Sequence, residues 1–172
     1  MRRPGRGGRI EVATTSTTAE AAIRSLIERY FNALDRRDFA QLADCFTEDA
    51  QTTYLQGAWH CDGRAATVER LLVMRQFPAS THSVGNVVIR TAGDEVRGEV
   101  FATAHLLATN GLVHVRGLRY VDRYVRKGMQ WRIASRDHSA IWQYDVPAAP
   151  ALAADTLSAL TDGPNPAGAI SN

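Results

Sequence analysis

Residues 19–38, AEAAIRSLIERYFNALDRRD, decide how the rest of the chain is read. Ile23, Leu26, Ile27, Tyr30, Phe31 and Leu34 recur at intervals of three and four, which puts them on one face of an amphipathic helix. Tyr30 lies within that apolar stripe, so its phenol needs a polar partner inside the protein or serves as a donor to a bound molecule. Asp35 follows one turn after Phe31, at the rim of the stripe. A carboxylate there either reaches solvent from the last helical turn or needs an internal partner, because burying it alone costs heavily or protonates it.

Working outward, residues 1–17 are polar and Gly/Thr-rich and carry MRRPGRGGR, where much of the positive charge sits. They are expected to form a disordered basic arm whose threonines supply N-caps for the helix. Downstream, Asp38 is placed to cap a short helix FAQLADCF, and a third helix runs from Arg64 to about Arg75, with Val68, Leu71, Leu72 and Met74 on its buried side.

From Ser80 the period changes to two. SVGNVVIR, EVRGEVFATAHLLAT, LVHVRGLRYVDRYVR and QWRIASRDHSAIWQY are rich in β-branched and aromatic residues and are separated by turn signals at Ala92-Gly93-Asp94, Asn110-Gly111 and Lys127-Gly128. An earlier strand, AQTTYLQG, is expected at an edge or at the mouth. Helices followed by hairpin-linked strands predict an α+β domain over residues 18–146: a cone-shaped, curved antiparallel sheet packed on three N-terminal helices. From Pro147 the chain reads as a flexible tail, whose ALAADTLSAL segment could fold over a pocket mouth.

The chain's 172 residues, 45% hydrophobic and 22% charged, suit one packed domain with room for a ligand cavity. A formal charge of only +2, without a basic stripe carrying aromatics, argues against nucleic acid as a partner. With neither a membrane-length apolar run nor a secretory signal, a cytoplasmic protein with no membrane partner is expected. Cys45 and Cys61 read as buried thiols. The five histidines have no paired metal-type spacing, and no nucleophile elbow or phosphate-cradling loop is present, so neither metal nor cofactor is expected.

His82 opens the first strand of the meander, directly after FPAST. A lone histidine there could be structural. If it crosses to the end of the first helix, Asp35 would hold one ring nitrogen as N–H and leave the other free to take a proton. Tyr54, Trp59, Arg116, His138 and Trp142 fall on strands or strand ends where alternation could turn them inward. Arg136, His138 and Trp142 share a strand face, and an inward Arg136 needs either an anionic substrate group or a salt bridge, for which Asp35 is the candidate. His105 is expected to face outward, opposite Val100, Ala102 and Ala104.

The run IRSLIERYFNALDRRDFAQLADCFTEDA, a Gly-Arg helix start, THSVGN, and RYVDRYVRKGMQWRIASR together resemble the SnoaL-like branch of the nuclear transport factor 2-like superfamily, over about Ala19 to Tyr144. Within that branch the chain is similar to scytalone dehydratase, bile acid 7α-dehydratase and hexachlorocyclohexane dehydrochlorinase. The resemblance implies a cone-shaped fold, a homodimer or homotrimer, no cofactor, and an Asp–His dyad at Asp35 and His82. It also matches Tyr30 to a tyrosine of the bile acid enzyme, Arg136 to an active-site arginine of the dehydrochlorinase and Tyr120 to a pocket aromatic.

The expected site is therefore Tyr30, Asp35 and His82 as catalytic groups, with Tyr54, Trp59, Arg116, Leu118, Tyr120, Arg136 and Trp142 binding a small hydrophobic substrate of polyketide, steroid or aromatic type. The expected activity is that of a metal-free dehydratase or isomerase. A cyclase of a polyketide or epoxide intermediate in secondary metabolism would use the same dyad. A non-catalytic binding or assembly module would instead bond Tyr30 and Asp35 to structural partners and leave no cavity of several hundred Å³.

Overall fold

The computed structural model describes residues 9–92 and 95–149. Helix α1 spans Arg9–Arg36, so the arm expected to be disordered through residue 17 is helical from Arg9. No glycine or proline stands between Ile10 and Arg36 to stop the helix, and the threonines lie within it. Residues 1–8, the Gly93-Asp94 turn and the tail segment ALAADTLSAL lie outside the described residues.

The six apolar positions of α1 are all buried, none more than 3% exposed. Arg37 then takes a left-handed backbone, φ 60°, which turns the chain out of the helix. Asp38 caps α2, Phe39–Asp44, its carboxylate accepting from the Gln41 N–H at 2.9 Å. Helix α3, Gly63–Leu71, tightens into a 3-10 turn over Leu72–Gln76. Its buried side is Thr67, Leu71 and Met74, whereas Val68 and Leu72 are only half-buried.

Six strands follow or interleave: β1 Phe46–Tyr54, β2 Trp59–Asp62, β3 Ala79–Ala92, β4 Glu95–Leu107, β5 Leu112–Lys127 and β6 Gln130–Pro147. They form one sheet in the order β2-β1-β6-β5-β4-β3. Strands β3 to β6 make the antiparallel meander read from the turn signals. The sheet as a whole is mixed and not purely antiparallel, because β1 runs parallel to β6. AQTTYLQG thus joins the meander at its β6 edge, as expected, and pairs there in parallel. The chain leaves α2 in the same direction as β6, β1 fills the open side of the meander, and the four residues of β2 become the edge.

Irregular register at Val84/Val87, Gly117/Leu118 and Arg123/Tyr124 bends the sheet, and its inner face presents Val96, Val100, Ala102, Ala104, Leu118, Tyr120 and Tyr124 to the core shared with α1. One of these irregularities moves a residue. Leu118 pairs with Ala140 but Gly117 pairs with Trp142, so Ile141 is an extra residue and strand parity flips beyond it.

Candidate active site

The end of α1 and the start of β3 meet, and Asp35 and His82 stand in hydrogen-bond contact there. The Asp35 carboxylate accepts from His82 Nδ1–H at 2.7 Å through Oδ1 and from the His82 backbone N–H at 2.7 Å through Oδ2. Ser80 adds its hydroxyl to Oδ1, also at 2.7 Å. Burial alone would raise the Asp35 carboxyl, but the hydrogen bond and charge of His82, helped by Ser80, outweigh it and hold the group below the usual carboxylate range.

Arg37, not among the expected site residues, locks this junction. Its Nη1 donates to the carbonyls of Leu34 and Asp35 and to Ser80 Oγ, and its Nη2 donates to the Phe77 carbonyl, tying the last turn of α1 to the segment that delivers His82. The imidazole stacks on Phe31, with centroids 5.3 Å apart and planes 26° apart. Only 3% of the His82 side chain is exposed, against 21% for Asp35. With Nδ1 committed to the carboxylate as a donor, Nε2 carries the lone pair, and no hydrogen bond engages it among the described residues.

His82 lines a cavity of about 100 Å³, open on one side, between the helices and the inner face of the sheet. Tyr30, Tyr54, Arg116, Leu118 and Tyr120 line it with His82, as expected. Leu34, Leu55, Arg70, Leu71, Val73, Met74, Ala104, Leu106 and His138 complete the wall. Asp35 stands behind the imidazole and does not reach the cavity, the arrangement of an orienting partner. The volume is below the several hundred Å³ that would have spoken against a binding module, so a guest larger than one small ring must extend through the mouth.

Three expected contacts do not reach the cavity. Arg136 is buried beneath it, and its partner is Asp122 rather than Asp35: Nε and Nη2 donate to the two carboxylate oxygens at 2.8 and 2.7 Å, both side chains being essentially inaccessible. Its guanidinium lies 4.1 Å from the Tyr30 ring centre and 4.6 Å from that of Tyr120, supporting the floor. Trp142 is turned to the outer face of the sheet by the Ile141 bulge, over Gly117, and is 46% exposed. Trp59 sits on edge strand β2, 49% exposed, with the Arg70 guanidinium 4.2 Å over its ring, so Arg70 stands between it and the cavity.

Burial pushes the phenols of Tyr30, Tyr54 and Tyr120 upward, which keeps them protonated donors. The buried Tyr54 hydroxyl and the Arg136 guanidinium both stand against the Tyr30 phenol. His105 faces solvent, as read from alternation.

A family model described as SnoaL-like domain matches residues 15–137. The chain belongs to the SnoaL-like family. An uncharacterized protein of Mycobacterium tuberculosis is 31% identical over 138 residues, covering 78% of this SnoaL-like chain and 92% of the relative. The fold is that of the nuclear transport factor 2-like superfamily. A protein of Novosphingobium aromaticivorans assigned as a scytalone dehydratase superposes with a TM-score of 0.73 at 22% identity, over 81% of this chain and 95% of that one. The hexachlorocyclohexane dehydrochlorinase LinA-type3 of Novosphingobium barchaimii gives a TM-score of 0.70 at 17% identity, over 80% and 97%. At those identities the likeness is one of fold.

Proposed function

We propose that this SnoaL-like protein is a cofactor-independent acid/base enzyme of dehydratase or isomerase type, acting on a small hydrophobic molecule held in the cavity. The observation that carries the reading is the pairing of Asp35 with His82 Nδ1, which leaves the opposite ring nitrogen unbonded in an apolar hollow. His82 Nε2 takes a proton from carbon next to an electron-withdrawing group, Asp35 stabilises the imidazolium that forms, and Tyr30 donates to the oxygen that gains charge. His82 then returns the proton to a departing hydroxyl, which leaves as water, or to a second carbon, which completes an isomerisation.

The structural neighbours assigned as a dehydratase and a dehydrochlorinase are compatible with elimination on this fold. A binding module would account for the modest cavity and for Asp35 being bonded to Ser80, but it leaves the unbonded Nε2 of His82 without a purpose. The enzyme is expected to act in the cytoplasm as a homodimer or homotrimer. Incubation with a panel of single-ring β-hydroxy ketones in D2O, read by mass spectrometry, tests the reaction. Deuterium at the α carbon or loss of water, absent with His82→Ala protein, is the expected result.

A further inference from the structure

We propose that His138 is a second catalytic group, a fixed neutral N–H donor facing the cavity with His82, and that the pair selects substrates whose reacting carbon lies beside a carbonyl. This rests on the reading of His82 as a base and adds the class of molecule it acts on.

The two histidines that line the cavity are held in opposite tautomers. His82 donates from Nδ1 to Asp35, so its Nε2 is an acceptor. His138 accepts at Nδ1 from the Leu55 backbone N–H, 3.3 Å away, so its proton is on Nε2. Burial, with the charges of Arg136 and Arg116 adding to it, pushes the His138 imidazole down to about 4, and it stays uncharged at neutral pH. An uncharged ring with one nitrogen accepting from backbone can only donate from the other. Its neighbours leave that nitrogen to the cavity: Tyr54 and Tyr120 pack on the ring at centroid distances of 5.3 and 5.0 Å, and no hydrogen bond to Nε2 is formed among the described residues.

The backbone that fixes this tautomer is strained to do so. Leu55 and Gln56 both adopt left-handed conformations, φ 53° and 54°, although neither is glycine, and Gly57 follows at 84°. In that turn the Leu55 N–H meets the His138 ring, the Gln56 N–H meets the His138 carbonyl at 3.3 Å, and the Gln56 side chain donates to the Ala140 carbonyl at 2.5 Å. Beside His138 the Tyr54 ring packs on the imidazole, and its buried hydroxyl turns to the Tyr30 phenol. A carbonyl oxygen, with two lone pairs, can accept from His138 Nε2–H and from the Tyr30 hydroxyl together, which a carbon–halogen bond does poorly.

In the reaction, the bond between the α carbon and its hydrogen breaks, the proton passes to His82 Nε2, and the electron pair becomes the enolate double bond. The negative charge gathers on the oxygen that His138 Nε2–H and Tyr30 O–H hold. Collapse of the enolate expels a β-hydroxyl, which takes the same proton from His82 and leaves as water.

Long-range proton–nitrogen NMR on 15N-labelled protein at pH 7 reads both tautomers without a substrate. The expected spectra show His138 as the neutral Nε2–H form and His82 as the neutral Nδ1–H form. Addition of 4-nitrophenol at millimolar concentration, whose ionised oxygen stands in for the enolate, is expected to move the His138 Nε2–H proton downfield. A His138 that is cationic or Nδ1-protonated, or whose Nε2–H is unmoved up to the solubility of the phenol, would overturn the donor role. A His82 protonated at Nε2 would instead defeat the base and leave the His138 result standing, so the two failures are separable. His138→Phe protein, if folded, is expected to bind the phenolate at least tenfold more weakly, and unchanged affinity would count against the proposal.

Discussion

His82 is bound to Asp35 twice, once through its ring Nδ1–H and once through its backbone N–H, both at 2.7 Å. The carboxylate therefore fixes the position of the strand as well as the tautomer of the ring. All three of its hydrogen bonds are accepted, and Asp35→Asn replaces one acceptor by an NH2 that must face a donor whichever way the amide is turned. The variant is expected to lose about 1–3 kcal/mol of stability in urea unfolding and at least about 100-fold in turnover, the latter because Nδ1–H is no longer specified.

The Arg136–Asp122 pair is buried and bidentate. Asp122→Asn or Arg136→Met alone strands a buried charge or donor set and is expected to cost about 3–5 kcal/mol, while the combined Arg136→Met, Asp122→Leu protein should recover part of that, the Tyr124 hydroxyl that donates to Asp122 being left unpaired. Denaturant midpoints of the three variants check this. If the double variant were as unstable as the sum of the singles, the pair would not be the unit described.

Acidification should destabilise the fold in a defined window. His138 titrates at about 4 when folded and at 6.5 when free, so below 6.5 the unfolded chain binds the proton more readily, and stability falls as pH drops from 6.5 toward 4. The loss is on the order of 3 kcal/mol. Asp35 acts in the same direction at lower pH, its depressed carboxyl contributing stability above its free value that is lost as pH falls through the folded one. Unfolding free energies measured between pH 7 and 4 should decline steeply for the wild type and more gently for His138→Gln.

Trp142 tests the corrected face. Because the Ile141 bulge turns it away from the cavity, Trp142→Ala should leave turnover within about twofold of wild type. A Cβ at Gly117 would overlap the Trp142 indole, so Gly117→Ala should displace the ring and shift its fluorescence emission, at a cost of about 1–3 kcal/mol. A large loss of activity in Trp142→Ala would put the indole back in the site.

Helical spacing placed Asp35 at the rim of the stripe and the change of period from 3.6 to 2 placed His82 at the helix-to-sheet junction, but that the two meet was implied only by the family resemblance, because no local pattern carries a contact between residues so far apart in the chain. The position of Arg136 was half legible. Strand alternation turned it inward, but its partner lies across the sheet, and only the β5–β6 register brings Asp122 opposite it. Trp142 was misplaced because alternation counts residues and a bulge adds one without a clear mark in the sequence. The parallel pairing of β1 with β6 is set by the path of the whole chain, which no local pattern of AQTTYLQG carries. The role of His138 depends on the tautomer that the left-handed turn at Leu55 imposes, and non-glycine residues gave no warning of that turn.

The dyad's role is tested most directly by turnover of a single-ring β-hydroxy ketone in D2O by wild-type and His82→Ala protein under identical conditions, with circular dichroism confirming that the variant is folded. Wild-type protein is expected to incorporate deuterium and dehydrate the ketone, and the variant to do so at a rate at least about 1,000-fold lower. Equal rates in the two proteins would show that His82 is not the base.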